Sequence, residues 1–424
     1  MTAEAFPMAG LSVMYADLHI HIGRTEKGNP VKISGSRDLT FFNIAREAGG
    51  RKGIHITGII DCHSPEVLEE IERYLENGAM AELRGGGIRY GGTTVLLGSE
   101  LEVKDPGRGP AHLLVFLPTL SAMKDFSAWL RTRVTNIRLS SQRVRVPARE
   151  LQAEAVGRGG MVIPAHIFTP HKSLYGRCCD RMADVLDPDR VAAVELGLSS
   201  NTEMADAIPE LRRHAFVTNS DAHSLGRIAR EYNALLLAEP TFEEVALALR
   251  GAAGRRIEAN YGLSPQLGKY HSTYCVSCGM LFPASGEGEA AGTDSAAAHA
   301  AFGGAAPESV SAGVCPRCGG RRLVRGVSDR IADLAAAGAG ENVPRPQRPP
   351  YIEQVPLEFI PGLGPKKLER LLERFGTEMN VLHHVPEEEL AEAVGPGPAA
   401  LICACRAGKA AIAPGGGGVY GKIR

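Results

Sequence analysis

Three short stretches of the chain pair histidines and carboxylates at a spacing of two: His19 and His21 in "DLHIH", Asp61 and His63 in "DCHS", Asp221 and His223 in "NSDAHS". Imidazole and carboxylate together suit divalent zinc, manganese or iron. Alternate side chains of a β-strand share a face, so each pair can point into one cavity. Asp17 shares that alternation with the two histidines of the first stretch, and a buried face holding three such groups needs something to satisfy them. Single residues of the same kind stand in three further runs: Glu100 in "GSELEV", His112 at the start of "AHLLVF" and His166 in "IPAHIF". The expected metal cluster is therefore His19, His21, Asp61, His63, Glu100, His112, His166, Asp221 and His223, with two or three divalent ions (Zn²⁺, Mn²⁺, Mg²⁺ or Fe²⁺). Asp221 and His223 are also placed to move protons. Closely spaced divalent ions lower the pKa of water and clamp the attacking and leaving oxygens of a phosphate in line. The chemistry implied is phosphoester hydrolysis.

The elements that must position these residues are seven short apolar runs between residues 11 and 260, most of them separated by helical patterns such as "SPEVLEEIERYLENG". Strands alternating with helices predict a parallel α/β barrel, and such barrels gather functional groups at the C-terminal ends of their strands. The third and fourth runs are joined by about seven residues rich in Gly and Pro, too short for a crossover helix, so that pair is expected as a hairpin.

Beyond residue 260 the composition changes. "YCVSCGM" and "VCPRCGG" supply Cys275, Cys278, Cys315 and Cys318, two Cys-x-x-Cys knuckles that predict a closed tetrahedral structural zinc site. Between them an Ala/Gly/Ser-rich segment, 281–312, is expected to be a disordered insert in a zinc ribbon spanning 261–330. A Pro-rich linker, 331–355, follows. From 356 to 424 the pattern is short helices separated by Gly-x-Gly turns, with a flexible tail. The remaining cysteines, Cys62, Cys178, Cys179, Cys403 and Cys405, are expected to be ordinary reduced thiols.

The chain has 424 residues, is 44% hydrophobic and carries a formal net charge of −1. Such a chain can bury a large core, but it has no global basic excess for nucleic acid, so any DNA contact must come from local patches. Two are present. "IPGLGPKKLERLLERFG" combines a turn at Gly362 and Gly364 with Lys366 and Lys367 at a helix start, where backbone N–H groups bind phosphate. "AVGPGPAALICACRAGK" repeats it around Gly395 and Gly397. The stretch "LRTRVTNIRLSSQRVRVPAR" holds Arg131, Arg133, Arg138, Arg143, Arg145 and Arg149 without an acidic residue. No run of 18 apolar residues and no leader-like start occur, which leads to the expectation of a soluble, cytoplasmic protein that does not engage a membrane.

As a set, "DLHIH", "DCHS", "GSELEV", "AHLLVF", "IPAHIF" and "NSDAHS" resemble the successive metal motifs of the PHP superfamily, the polymerase and histidinol phosphatase phosphoesterases, over residues 14 to 235. The resemblance implies a distorted seven-stranded (β/α) barrel over residues 11–260 and a trinuclear metal cluster. The second motif departs from it, since Cys62 intervenes where many members have adjacent Asp and His. With "NYGLSPQLGKYH" leading into the ribbon, the "PGLGPKK" hairpin domain (expected to be all-α) and the tail "GGGGVYGKI", the whole chain is similar to the endonuclease Q family. That resemblance implies a DNA repair endonuclease cutting 5′ to deaminated bases (uracil, hypoxanthine, xanthine) and abasic sites, leaving a 3′-hydroxyl and a 5′-phosphate. Damaged double- or single-stranded DNA would be its partner and a monomer its form; a sliding clamp would be a further partner that the sequence does not show, since no obvious clamp-binding motif stands at the C-terminus. A base pocket is expected from Tyr175, Glu195, Ser200 and Asn201, in the loops after the fifth and sixth runs. Two other classes compete. A small-molecule phosphomonoesterase of the histidinol phosphatase type leaves the C-terminal residues idle. A non-catalytic DNA-binding scaffold does not need so many ligands.

Overall fold

The computed structural model describes residues 10–282 and 314–409, and the backbone of 412–413 and 422–423. Of the insert expected over 281–312, residues 283–312 lie outside the described residues, as does most of the tail. Within that tail Ile412–Ala413 and Lys422–Ile423 pair antiparallel.

At the centre β1 (Ser12–His21), β2 (Ile56–Ile60) and β5 (Thr93–Val103) run parallel. β2 is buried at every position, as expected of a strand covered on both faces. β3 (Ala81–Glu82) and β4 (Ile88–Tyr90) form a small hairpin on the edge of β5 that the apolar pattern does not reveal. The second half of the long β5 turns to pair antiparallel with β6 (Ala111–Leu117), the hairpin implied by the short Gly/Pro connection, and β6 pairs antiparallel with β7 (Met161–Pro164). The expected parallel arrangement therefore gives way in this sector. β8 (Val194–Glu195) and β9 (Phe216–Val217) pair parallel but are only two residues long. Backbone hydrogen bonds carry the path onward: Ala192 N–H to Val162 C=O and Ile167 N–H to Glu195 C=O join β7 to β8, and a bridge between Ile20 and Ala222 returns the segment after β9 to β1.

The other edge of β1 takes β10 (Tyr232–Leu237), antiparallel to β1, then β11 (Arg256–Gly262), antiparallel to β10. Helices α1 (Phe41–Arg46), α2 (Pro65–Glu76), α3 (Leu120–Arg131), α4 (Ala148–Gly157), α5 (Thr202–Asp206) and α6 (Phe242–Arg250) lie along the connections. α3 shows how: Leu120, Met123, Phe126, Ser127 and Leu130 are buried, the spacing of one helix face, and Thr119 caps its N-terminus through the Ala122 N–H.

β12 (Tyr274–Cys275) and β13 (Leu323–Val324) make a two-stranded ribbon. The stretch 331–355, expected as a linker, carries structure: α7 (Val327–Ala337) extends into it and β14 (Tyr351–Glu353) adds parallel to β11. Apolar Val327, Ile331 and Leu334 bury one face of α7, and Arg330 donates to the carbonyl of Tyr175 at 2.7 Å.

Four helices follow: α8 (Pro365–Phe375), α9 (Glu378–His383), α10 (Glu387–Val394) and α11 (Pro396–Arg406). Gly362 (φ +78°) and Gly395 (φ +93°) take left-handed backbone immediately before α8 and α11, a conformation that a side chain disfavours. The module is docked against the barrel. Lys52 reaches Glu378 at 3.0 Å with both side chains buried, His383 stacks on Tyr15 with ring centroids 4.6 Å apart, and the Tyr232 hydroxyl lies 2.7 Å from His383 Nε2. Among the described residues no helix is long and apolar enough to cross a membrane.

Candidate metal centre

β1 delivers the first two candidate ligands. His19 and His21 are fully buried, and their Nε2 atoms face each other at 3.3 Å. Glu100, near the end of β5, is central: its carboxylate lies 3.7 Å from His19, 3.6 Å from His21, 2.8 Å from His112 and 3.5 Å from His166. His112 starts its strand, yet because β6 is antiparallel to β5 its start adjoins the end of β5. Asp221 Oδ1 closes the group at 3.6 Å from His19, 3.5 Å from His21 and 3.6 Å from His223.

Three overlapping sets of ligand atoms result: His19, His21 and Glu100; His21, Asp221 and His223; Glu100, His112 and His166. The residues fit divalent cations. His112 Nε2 and His166 Nδ1 are buried without hydrogen-bond partners, a cost that ligation of a cation elsewhere on the ring helps to justify. His166 (φ +32°), Asp221 (φ +45°) and Asp61 (φ +83°) also hold left-handed backbone without being glycine, strain that clusters at functional sites. Burial pushes the Glu100 carboxyl up, but His112, Lys32 and His21 outweigh it and hold it well below the usual range. Asp221 is held low in the same sense, with His19 the chief opponent of burial.

Of the nine expected ligands, seven meet in these sets and two stand apart. Asp61 Oδ2 lies 2.9 Å from His21 Nδ1, so its carboxylate orients the imidazole from behind. His63 lies outside these sets, with Nδ1 3.0 Å from Ser99 Oγ. The reason is local: β2 ends at Ile60, so Asp61, Cys62 and His63 lie in a turn and strand alternation no longer holds. Glu195, expected in a base pocket, is buried against His19, its Oε1 3.0 Å from Nδ1, and accepts from Asn219 Nδ2 at 2.8 Å. Asp17 likewise supports the site from beneath, accepting from the Ser220 and Ala229 N–H groups at 3.0 and 2.9 Å. Glu195→Gln keeps the shape and removes the charge; it is expected to weaken Mn²⁺ binding about 10- to 100-fold by titration calorimetry.

Sequence spacing missed Lys32, a loop residue whose Nζ lies 3.1 Å from Glu100, 3.3 Å from His21 Nε2 and 2.7 Å from Ser141 Oγ. It also missed Asn219, although that residue lies within the "NSDAHS" motif. Five of the seven, Glu100, His112, His166, Asp221 and His223, line a cavity of about 540 Å³ that is also walled by Thr169, His171, Leu198, Ser199, Lys269 and Tyr270. Three residues expected to form a base pocket are not there. Tyr175 is buried with its hydroxyl donating to Glu210 at 2.9 Å, and Ser200 donates to the Leu196 carbonyl at 2.8 Å. Asn201 caps α5 through the Met204 N–H and borders a separate cavity beside Arg345. Other residues of the same loops, Thr169, His171, Leu198 and Ser199, line the cleft.

In the ribbon Cys275 and Cys318 sulfurs stand 3.7 Å apart and those of Cys278 and Cys315 3.6 Å. A tetrahedral site with Zn–S of about 2.3 Å requires S···S of about 3.8 Å, so the four thiols fit one ion. Matching turns, Gly279 N–H to Cys275 C=O and Gly319 N–H to Cys315 C=O, shape the two knuckles. The five other cysteines are free thiols.

The arginine-rich stretch begins at the end of α3 and continues as irregular chain. Arg131, Arg138 and Arg145 are exposed; Arg133 lies over the Trp129 ring at 4.4 Å. Arg143 finds an acid that the local sequence lacks, pairing with Glu102 of β5 at 3.3 Å. In the helical module Lys366 is exposed and Lys367 half-buried, in the first turn of α8. The two hairpins adjoin: a Cβ on Gly362 would stand 3.5 Å from Pro398 Cγ, in the first turn of α11, which also contains Gly397.

No protein-family model matches the chain. It is 51% identical to the uncharacterized protein YqxK of Bacillus subtilis (strain 168) over 413 residues, 97% of this chain and 99% of that one. It superposes with a TM-score of 0.77 and 32% identity on the lesion-specific endonuclease PfuEndoQ from Pyrococcus furiosus, covering 97% of this chain and 95% of that one. On endonuclease Q in complex with a 27-mer duplex substrate carrying an abasic lesion at the active site, the TM-score is 0.78 at 32% identity, with 97% and 96% covered.

Proposed function

This chain belongs to the endonuclease Q family, and from that premise we propose that it is a hydrolase of phosphodiester bonds that repairs DNA by nicking a damaged strand. We read it as cutting 5′ to uracil, hypoxanthine, xanthine and abasic sites, leaving a 3′-hydroxyl and a 5′-phosphate. The observation that carries this reading is the whole-length likeness to a lesion-specific endonuclease, together with seven clustered side chains that could hold metal ions, five of which line one open cavity.

The pairing path through β1, β2, β5, β6, β7, β8, β9 and back to β1 is read as the distorted seven-stranded PHP barrel. His19, His21, Glu100, His112, His166, Asp221 and His223 would hold divalent cations at its mouth. Such ions supply Lewis acidity and lower the pKa of water. The protein does the positioning. Glu195 and Asp61 fix the tautomers and ring angles of His19 and His21. Lys32 places a positive charge beside Glu100, where it can meet a phosphate oxygen entering the cleft. Asp221 and His223, the most accessible ligands at 31% and 33% side-chain exposure, stand where a proton can pass between the site and solvent.

The four cysteines would bind one structural zinc. The hairpins at Gly362 and Gly395 are read as two helix-hairpin-helix motifs that hold the duplex by its phosphates without reading sequence. Replacing Lys366 and Lys367 together by Glu is expected to weaken binding to all duplexes alike. The slope of log affinity against log salt should flatten by about 2, as read by fluorescence anisotropy across a salt series.

The decisive experiment is a nicking assay on labelled duplexes containing one uracil, one hypoxanthine, one xanthine, one abasic site or none, with Mg²⁺ or Mn²⁺. Cleavage confined to the damaged strand, 5′ to the lesion, supports the reading. Equal cutting of undamaged DNA leaves a general nuclease. Turnover of a chromogenic phosphomonoester with no cutting of DNA would point to the phosphatase chemistry instead.

A further inference from the structure

Among the described residues, the large apolar side chain left most open to solvent is Ile33, at 79% exposure. Single exposed apolar residues are ordinary; the setting of this one is not. The Gly35 N–H donates to the Lys32 carbonyl at 2.9 Å, so Lys32–Gly35 is a β-turn with Ile33 at its first corner. Its neighbours on either side belong to the cleft: Lys32 Nζ is 3.1 Å from Glu100, and Ser34 lines the cavity. Adding one Cα–Cα step of about 3.8 Å to an extended lysine and that contact puts the Ile33 Cα within roughly 13 Å of the Glu100 carboxylate. That is comparable to the reach from a backbone phosphate into the base stack. The other strongly exposed large apolar residues lie elsewhere, Leu11 and Val13 at the start of β1 and Val276 and Leu281 in the ribbon.

The turn is held rigidly. Val31 N–H donates to Gly23 C=O, Lys32 N–H to Ile22 C=O and Ser36 N–H to His223 C=O, at 3.0, 2.8 and 2.8 Å. A Cβ on Gly23 would stand 1.9 Å from the Ser36 oxygen, so the loop packs directly on the chain leaving β1. A rigid apolar tip at the mouth of a phosphate-cleaving cleft loses little conformational freedom when it binds. Proteins that unstack DNA insert side chains of this kind between base steps.

We propose that Ile33 is a wedge that enters the base stack beside the cleaved phosphate and fills the gap left by the extruded nucleotide. The inference rests on the lesion-endonuclease reading above. It makes Ile33 a positioning residue: it does not touch the reacting atoms but favours the state in which the damaged nucleotide reaches them.

The test uses the full-length protein and its Ile33→Ala and Ile33→Leu variants. Single-turnover cleavage is measured on a uracil duplex and on the same strand unpaired. A second readout is the fluorescence of 2-aminopurine placed 3′ to the uracil, which rises on unstacking. Ile33→Ala should slow the duplex reaction at least about 10-fold, a modest share of the few kcal/mol that unstacking costs. It should also suppress the fluorescence rise, while Ile33→Leu preserves both and the single-strand rates stay within about twofold. Equal losses on duplex and single strand would overturn the wedge and assign Ile33 to the support of the metal cleft. Unchanged duplex rates and fluorescence would overturn it outright. If the wild-type protein cuts no lesion duplex at all, the repair reading itself has failed and the wedge falls with it; if the wild type cuts and Ile33→Ala matches it, only the wedge is lost.

Discussion

Glu100→Ala is expected to reduce lesion cleavage at least about 10³-fold, equivalent to about 4 kcal/mol of lost transition-state stabilisation. The size follows from position. Glu100 belongs to two of the three ligand sets and approaches four histidines and Lys32 within 3.7 Å. Removing it disperses the cluster and takes from Lys32, only 16% exposed, the one carboxylate in contact with it, leaving Asp61 and Asp221 as its remaining counter-charges. Glu100→Gln keeps the volume and separates the two effects. The neutral isostere should fold, shown by an unchanged thermal midpoint and circular dichroism, and still lose most activity and bound barrel metal in single-turnover nicking and elemental analysis. A Gln variant cutting at a wild-type rate would exclude Glu100 from the ligand shell.

The second large effect concerns the ribbon. Cys315→Ser should release one zinc per chain and unfold the segment around the knuckles, because binding energy at such a site is folding energy, about 10–16 kcal/mol in small zinc modules. Among the described residues the ribbon has little else to hold it: β12 and β13 are two residues each, and the apolar cluster is Cys275, Met280, Phe282 and Cys315, with Cys278 and Leu323 packed against it. Limited proteolysis should cut near residues 275–325 in the variant while the barrel stays intact, since the barrel has its own extensive core. Retention of zinc with unchanged protease resistance would refute a four-thiolate site.

Much of the centre is legible in the sequence, though not always for the reason that makes it so. Of the three pairs spaced by two, only His19 and His21 obey strand alternation, because β1 extends through its pair whereas β2 and β9 stop before theirs. Asp221 and His223 meet the cluster although β9 stops at Val217, four residues earlier; a positive φ at Asp221 turns the chain inward. The same local turning leaves His63 outside the ligand sets and Asp61 behind His21. Spacing alone could not tell these two outcomes apart, since both depend on the backbone after a strand has ended. Lys32 was hidden because a loop lysine has no periodicity. Tyr175, Ser200 and Asn201 were misplaced because polar side chains in loops often serve the loop itself, as a cap or a carbonyl partner. The knuckles were plain because four thiols at fixed spacing admit few structures. The supposed linker misled through its prolines: Pro344, Pro346, Pro349 and Pro350 mark extended chain, and extended chain can join the edge of a sheet as β14 does.

The contact between the helical module and the barrel has a consequence for how the protein would meet its substrate. With Lys52 and Glu378 buried together and His383 seated among Tyr15, Tyr232 and Tyr261, the helical module packs directly on the barrel that carries the candidate metal cleft. On the proposed reading, the two grips on a strand would act as one bivalent device with a fixed span, so the second contact would be made at high effective concentration once the first has formed. A fixed span is also a ruler. On the reading proposed here, a lesion nearer to the end of a duplex than that span forfeits one grip, and the chain measures in ångströms how much intact DNA must accompany the damage it cuts.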